Sequence, residues 1–270
     1  MADGNEESLA YVVEQAELTP RYLLYMSLAG VLAGVGLLSN SVPILVGSMI
    51  IAPALPPVAL VAFGVVHRRA ALARRGAAVA ALGLGTAVAA ILVAVLMRVT
   101  DVIPPGTDLL AKPMLEERVR PGWWSLAAAV AGGIVGVVAL TEKKTDTLIG
   151  TVAALALVPA GAAAGIAALA TDGDRALGGL LLLGMNFAMI VAMGIVVLAV
   201  LRREAAPLPL SIAVLLVAII VGLVIISHTT GATPGQPFSM PLTWLPIDHP
   251  KVSRIKEPAT SSQTEGPMPS

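Results

Sequence analysis

The sequence predicts an all-α polytopic membrane protein with seven transmembrane segments. Of the 270 residues, 57% are hydrophobic and only 13% carry a charge. The mean hydropathy of +0.87 lies well above that of a soluble domain. Apolar segments long enough to cross a hydrocarbon core of about 30 Å can be recognised seven times. They cover residues 22–38, 42–66, 77–97, 123–140, 147–170, 176–201 and 208–227.

The predicted organisation is a leader, a transmembrane domain and a tail. Residues 1–20 form a cytoplasmic leader, whose apolar stripe predicts a short amphipathic helix on the membrane surface; a frayed polar leader is the alternative. The transmembrane domain covers 21–227, with a first repeat at about 21–98, a second at about 122–202 and an extra helix at 207–227. Residues 228–270 form an extracytoplasmic tail, and its end, rich in proline, serine and threonine, is expected to be disordered. The stripe consists of Leu9, Val12, Val13 and Ala16.

The basic residues predict the orientation in the membrane. If every segment crosses once, three basic connections fall on the same side, which the positive-inside rule assigns to the cytoplasm. The N-terminus is then inside and the C-terminus outside. A re-entrant 42–66 segment would put the first basic connection on the opposite side, so a full crossing is favoured. The connections carry Arg68, Arg69, Arg74 and Arg75, then Lys143 and Lys144, then Arg202 and Arg203.

The second segment has Pro53, Pro56 and Pro57 near its midpoint. Proline has no backbone N–H and clashes with the carbonyl four residues earlier, so the carbonyls of Met49, Ala52 and Pro53 are expected to be free of helical bonds. At membrane depth such groups are tolerated only when they are buried in protein or line a wet cavity. The second segment is therefore predicted to be a broken helix beside a path or a pocket.

The fifth segment shows a milder version, because Pro159 near its centre releases the carbonyl of Leu155. The two segments also align. A shift of 103 residues places Pro56 on Pro159, and a shift of 102 aligns small-residue motifs in the first and fourth segments. Since the two halves start on opposite sides, they are predicted to be inverted copies, as in secondary transporters whose sites lie between the repeats. The aligned pairs are Gly47-Ser48 with Gly150-Thr151, and Gly30 and Gly34 with Gly132 and Gly136.

The region from Asn40 to Pro57 resembles the signature of the domain-of-unknown-function family 389, the uncharacterised hydrophobic domain family. The matching residues are Asn40-Ser41, Gly47-Ser48-Met49-Ile50-Ile51-Ala52-Pro53 and Pro57. The resemblance implies an integral membrane protein of the prokaryotic cytoplasmic membrane, without an established activity. This chain departs from the pattern at Ala52, where serine is usual, at Pro56, where glycine is usual, and at Ala160, where a second proline is usual.

The chemistry available inside the segments is limited. No charged residue or histidine lies well inside any of them, which argues against a carboxylate proton relay, an intramembrane metalloenzyme and tight binding of a multiply charged solute. The chain has no cysteine, which excludes thiol chemistry. Recognition is left to freed backbone, hydroxyls, one amide and half-helix ends. The candidate pathway residues are Asn40, Ser41, Gly47, Ser48, Met49, Ala52, Pro53, Pro56, Pro57, Gly150, Thr151, Leu155, Pro159 and Asn186.

Several of these residues have a structural alternative. The hydroxyls of Ser48 and Thr151 can return a hydrogen bond to their own helix. Asn186 can join a neighbouring helix, and Asn40 with Ser41 can cap one.

The leading functional hypothesis is a transporter or channel for a small neutral or weakly charged solute or ion. The alternative is a non-transporting membrane scaffold or a subunit of a larger complex. An enzymatic activity is not expected, and neither is a cofactor other than a monovalent coupling ion. The expected partners are the lipid bilayer, the solute or ion and further copies of the chain in a homo-oligomer; nucleic acid is not expected.

Overall fold

The computed structural model describes residues 2–85, 87–100, 102, 112–119, 123–142, 147–202 and 207–230. Within these ranges the regular structure is entirely helical, which confirms the predicted all-α class. The tail after residue 230, Lys143, Lys144 and Arg203 lie outside the described residues. The helices are α1 (Ala2–Gln15), α2 (Pro20–Leu38), α3 (Val42–Ile51), α4 (Leu55–Val66), α5 (Ala70–Leu84), α6 (Ala87–Val99), α7 (Pro113–Arg118), α8 (Trp123–Thr141), α9 (Thr147–Leu169), α10 (Gly173–Arg202) and α11 (Pro207–Thr230).

The described residues contain four helices long and apolar enough to span a membrane, and a fifth span if α3 and α4 are counted as one bent pair. This is the architecture of a membrane protein. The two other predicted segments correspond to α9 and α11, whose described apolar stretches, Leu157–Leu169 and Pro209–Gly222, are shorter. The count of seven therefore stays a prediction. The four helical spans are Pro20–Leu38, Ala70–Val99, Trp123–Thr141 and Gly173–Leu201.

Three turns between consecutive helices share one capping arrangement. The turn residues Asn40, Arg68 and Thr171 have φ angles of 54°, 55° and 59°. In each turn the next residue donates its N–H to the carbonyl five positions back, over 2.9 Å, 2.8 Å and 3.1 Å. This is the Schellman motif, which satisfies the last carbonyls of a helix while the chain reverses. It lets α3, α5 and α10 follow their predecessors without a loop.

One end of the helix bundle is marked by α1. Glu6 pairs with Arg69 over 3.0 Å, and the Ser8 hydroxyl donates to the Thr141 carbonyl over 3.3 Å. Glu17, just before α2, pairs with Arg75 over 3.4 Å. The start of α2, the α4–α5 turn and the end of α8 therefore lie together, at what we call the α1 end.

The opposite end is marked by α7. Met114 donates its N–H to the Asn40 side chain over 3.4 Å, and Glu116 pairs with Arg175 over 3.1 Å. The α2–α3 and α9–α10 turns therefore share this end, separated from the α1 end by the length of α2, about 28 Å for 19 residues. The α3–α4 pair starts at the α7 end and finishes at the α1 end, which is the path of a crossing and not of a hairpin. The connections that lie together at one end are those predicted to lie on the same side of the membrane.

The fifth segment is not broken. Helix α9 continues from Thr147 to Leu169 with Pro159 inside it. A single missing N–H in a membrane helix is accommodated by neighbouring groups and small local adjustments. The prediction of a broken fifth helix is therefore wrong, although Pro159 still provides no N–H for the carbonyl of Leu155.

The third segment, predicted over 77–97, corresponds to α5 and α6, which together form one candidate span over Ala70–Val99. Gly85 follows α5 and donates its N–H to the Ala81 carbonyl over 3.0 Å. Residue 86, between the two helices, lies outside the described residues.

The apolar stripe of α1 does not face a membrane surface. Leu9, Val12 and Ala16 are exposed by only 2%, 0% and 0%, and α1 packs against α4 and α8. The predicted helix is present, but its apolar face is covered by protein.

Glycines allow the helices to approach closely. A methyl group added at Gly34 of α2 would lie 3.0 Å from Cα of Ala90 in α6, and one at Gly133 of α8 would lie 2.9 Å from the carbonyl oxygen of Ile190 in α10. The small-residue motifs of the first and fourth segments therefore serve packing within the chain.

Candidate functional site

The candidate site is the break between α3 and α4, where the helix axes bend by 52°. Ala52 ends α3 with φ −73° and ψ 114°, an extended conformation. The ring of a following proline disfavours helical geometry, so Pro53 accounts for this conformation. Ala54 returns to φ −78° and ψ −25°, and α4 begins at the next residue.

The three prolines have two different roles. Pro53 lies in the break itself, whereas Pro56 and Pro57 lie in the first turn of α4. The N–H groups of a first turn have no helical partner, so proline is well accommodated there. One proline therefore interrupts the span, and the other two fix where the second half-helix starts.

Backbone groups around the break are left without helical partners. The residues four positions after Met49, Ala52 and Pro53 are prolines, which have no N–H to donate. The carbonyls of these three residues therefore lack a helical partner, as predicted. Within the described part of the chain, the amides of Ala52, Ala54 and Leu55 also form no hydrogen bond. The break therefore presents carbonyls at the C-terminal end of α3 and amides at the N-terminal end of α4, where the helix dipoles place negative and positive partial charges.

The break is enclosed by both halves of the chain. Ala52, Ala54 and Leu55 are exposed by 4%, 2% and 3%. Leu55 packs against Gly136 of α8, where an added methyl group would lie 2.6 Å from Cδ1 of the leucine. Pro57 is buried, whereas Pro53 and Pro56 are partly exposed. Helices α3 and α4 also pack against α9.

The two buried polar side chains among the candidates, those of Ser48 and Asn186, are bonded to protein groups. The buried Ser48 hydroxyl donates to the Leu45 carbonyl of its own helix over 2.6 Å. Asn186, also buried, donates from Nδ2 to Oγ of Ser125 over 2.8 Å, joining α10 to α8. The structural alternatives for Ser48 and Asn186 are therefore the arrangements observed.

The candidates Asn40 and Ser41 lie at the α7 end, and Gly47 lies inside α3. Asn40 is exposed, provides the left-handed residue after α2 and accepts from Met114. Ser41 precedes α3 without a side-chain capping bond. Gly47 has open space around it, because an added methyl group would meet nothing within 4 Å.

Four candidates of the second half, Gly150, Thr151, Leu155 and Pro159, lie on α9. Pro159 is buried. Gly150, Thr151 and Leu155 lie in the first part of this helix, and their side-chain environment, including the Thr151 hydroxyl, is outside the described residues. The structure thus brings Ser48, Met49 and residues 52–57 together, and it does not test whether Thr151 joins them.

A protein-family model described as "Domain of unknown function (DUF389)" matches residues 49–192, more than half of the chain. The chain belongs to the DUF389 family. The match begins in the last turn of α3, runs through the break and ends in α10, so the DUF389 region includes helices of both halves. No curated protein and no solved structure matches the chain.

One buried polar contact was not anticipated from the sequence. The Tyr22 hydroxyl of α2 donates to the Val79 carbonyl of α5 over 3.2 Å. The end of α5 lies beside α9, because an added methyl group at Gly161 would be 3.6 Å from the Leu84 carbonyl oxygen.

Two cavities bounded by described residues lie away from the break. One, of about 400 Å³, lies between α6 and α9 at the α7 end; the other, of about 430 Å³, is an apolar groove between α10 and α11. In the described part of this DUF389 chain, no three acidic or histidine side chains are grouped so that they could hold a metal ion. The first cavity is lined by Val95, Arg98, Val99, Leu169, Ala170 and Thr171.

Proposed function

We propose that this DUF389 protein is a transporter or channel for a small neutral or weakly charged solute or ion, and that the α3–α4 break is its binding site. The observation that carries the proposal is the group of backbone carbonyls and amides without helical partners, enclosed where the two halves meet. Backbone of this kind at membrane depth is found where it is buried in protein or lines a wet cavity, and we propose the second for the break.

The chemistry of the break favours a small polar ligand. Carbonyls at the end of α3 favour a monovalent cation, either as substrate or as coupling ion, and amides at the start of α4 favour an electronegative atom. A neutral or zwitterionic solute could use both. With no charged residue well inside the predicted segments, the protein has no fixed charge to balance a multiply charged ligand. We propose no other cofactor and no enzymatic activity.

The proposed mechanism is movement of one inverted repeat against the other. Two features support the repeat at the shift of 103 residues found in the sequence. Arg68 and Thr171 are 103 positions apart and occupy the same place in two Schellman motifs. Gly76 and Gly179 have the same separation, and added methyl groups there would each lie 3.0 Å from a backbone nitrogen, of Val61 and of the corresponding Ala164.

A third correspondence concerns polar contacts inside the bundle. Gly83 of α5 packs against the Tyr22 hydroxyl of α2. A shift of 103 places Gly83 on Asn186, and the shift of 102 for the first segment places Tyr22 on Trp124, the neighbour of Ser125. Because Ser125 is hydrogen bonded to Asn186, the corresponding pairs of helices are joined within one residue of equivalent positions.

The proposed topology has seven crossings in a prokaryotic cytoplasmic membrane, with the N-terminus inside and the C-terminus outside. The α1 end would face the cytoplasm. Its described basic residues, among them Arg68, Arg69 and Arg75, support this assignment by the positive-inside rule. We further propose that the protein acts as a homo-oligomer.

The test replaces the prolines that shape the break. The variant Pro53→Ala, Pro56→Ala, Pro57→Ala restores three N–H groups and favours one continuous helix. Pro43→Ala is the matched control, because Pro43 lies in the first turn of α3, as Pro56 does in α4. Purified proteins are reconstituted into liposomes, and uptake of Na⁺, K⁺ and a panel of neutral and zwitterionic metabolites is measured.

We expect the wild type and Pro43→Ala to carry at least one of these solutes, and the triple variant to insert normally but lose the flux. Undiminished flux in the triple variant would show that the break is not the site. Absence of flux of every solute in the wild type would contradict transport.

One observation favours the second candidate function, a non-transporting scaffold or subunit. The Ser48 hydroxyl and the Asn186 amide are already bonded to protein groups, as in a helix bundle built for packing. In that case neither the wild type nor the variants carry solute, and the native membrane complex contains the chain together with a different, catalytic or transporting subunit.

A further inference from the structure

We infer that α1 is a strap that holds the two halves together at the α1 end and restrains the movement of α4 against α8. This inference rests on the proposed function for its consequence, since the movement restrained is the one that would expose the break. The strap itself is argued from contacts that do not depend on transport.

Helix α1 contacts one helix from each half. It packs against α4 of the first half and α8 of the second. The apolar contact is made by Leu9, Val12 and Ala16, none more than 2% exposed, with Tyr11 and Val13 partly buried beside them. The halves cannot separate at this end unless α1 gives up one of its two contacts.

Polar contacts tie α1 to both halves as well. Glu6 pairs with Arg69, in the turn between α4 and α5, over 3.0 Å. The hydroxyl of Ser8, itself 8% exposed, donates to the Thr141 carbonyl at the end of α8 over 3.3 Å. The ion pair is exposed to solvent, so salt weakens it. Ionic strength should therefore loosen the strap on the first-half side, while the apolar contact remains.

Helix α1 is connected to the candidate site through α4. Helix α4 begins at the break and ends next to Arg69, so α1 holds the end of α4 that is remote from the break. Between these ends, Ala62 of α4 packs against Gly194 of α10, with 3.0 Å between the Ala62 Cβ and a methyl group added at the glycine. Opening this contact exposes the interface that leads from the α1 end toward the break.

The test uses the absence of cysteine in the native chain. Ala62→Cys places a thiol at a position that is 0% exposed, and its rate of labelling by a water-soluble maleimide is measured in nanodiscs. Leu9→Gln with Val12→Gln releases the apolar contact, and Glu6→Gln releases the ion pair. Glu14→Gln is the matched control, because Glu14 is exposed on the same helix and the charge change is the same.

We expect the Leu9→Gln, Val12→Gln variant to label at least about tenfold faster, which corresponds to a shift of about 1.4 kcal/mol. Glu6→Gln should label about two to five times faster at low salt and lose the salt dependence of the wild type. Glu14→Gln should behave as the wild type. Unchanged labelling of a correctly folded Leu9→Gln, Val12→Gln variant, or equal effects of Glu6→Gln and Glu14→Gln, would overturn the strap.

A second measurement does not require weakening the fold. In the Ser8→Cys, Thr141→Cys double variant, a short bifunctional maleimide joins the two thiols. Ala62 is left unchanged, and the measured quantity is solute flux in liposomes. We expect cross-linking to lower the flux at least about tenfold relative to the untreated double variant; an unchanged flux would overturn the restraint. If no protein shows flux, the proposed function fails, while the labelling experiment still decides whether α1 is a strap.

Discussion

A close contact between α4 and α5 can be tested at Gly76. A methyl group added there would lie 2.6 Å from the Pro57 carbonyl oxygen and 3.0 Å from the Val61 amide nitrogen. Both neighbours are backbone atoms, so no side-chain rotation relieves the overlap. The first distance is about 0.8 Å short of the 3.4 Å at which ordinary van der Waals contact begins, so α5 would have to move away from the start of α4.

The magnitude follows from comparison with an unhindered glycine. Gly184 lies inside α10, and a methyl group added there meets nothing within 4 Å. Both Gly→Ala changes gain the same helix propensity, about 1 kcal/mol. Only Gly76→Ala carries the overpacking cost of about 1–3 kcal/mol. We therefore expect Gly76→Ala to be about 1–3 kcal/mol less stable than Gly184→Ala.

The assay is thermal unfolding of both variants in the same detergent, followed by size-exclusion chromatography of heated samples. At about 2–4 °C per kcal/mol for a chain of this size class, Gly76→Ala should unfold about 2–12 °C below Gly184→Ala. Because α5 holds the first turn of α4 through this contact, the variant should also lose the flux proposed for the break. Equal unfolding temperatures would refute the argument that the two helices are in contact at Gly76.

Two further predictions concern single side chains. Ser125→Ala removes the partner of the buried Asn186 and should lower stability by about 0.6–1.7 kcal/mol, the range for interhelical hydrogen bonds in membranes; the unfolding temperature checks this, and an unchanged value would mean that the α8–α10 bond carries no stability. Thr171→Gly removes a β-branched residue from φ 59° and should raise stability by about 1 kcal/mol. A fall in unfolding temperature for Thr171→Gly would show that the side chain of Thr171 matters more than its backbone conformation.

The break in the second segment could be predicted because its cause is local. Proline removes a donor wherever it stands, so the carbonyls of Met49, Ala52 and Pro53 were identifiable from spacing alone. The sequence did not show that Pro56 and Pro57 belong to the first turn of a new helix, which depends on where the chain resumes helical geometry.

One interruption was assigned wrongly because a local signal competes with packing. Pro159 was expected to break α9, but one missing donor is not enough when neighbouring helices pack against the helix. This outcome does not follow from the proline alone, since the surrounding helices decide it.

The environment of α1 also lay beyond the sequence. Its apolar stripe predicts an amphipathic helix, but the same stripe suits lipid and protein equally. The protein contact depends on Arg69 and Thr141, which are far away in the chain and come together only in the fold. By contrast, the sequence predicted which connections lie on the same side of the membrane, because each segment was counted as one crossing. The contacts of α1 and α7 place those same connections together at one end of the bundle or the other.

The water accessibility of the break in a membrane tests directly whether an aqueous path reaches the freed backbone groups. Ala52→Cys in the break is compared with Ala129→Cys on α8, a position that is 0% exposed and remote from any helix interruption in sequence. A membrane-impermeant thiol reagent is applied from both sides of reconstituted vesicles. We expect the thiol of Ala52→Cys to react from at least one side and that of Ala129→Cys to stay protected. Protection of both cysteines from both sides would contradict an aqueous path to the break.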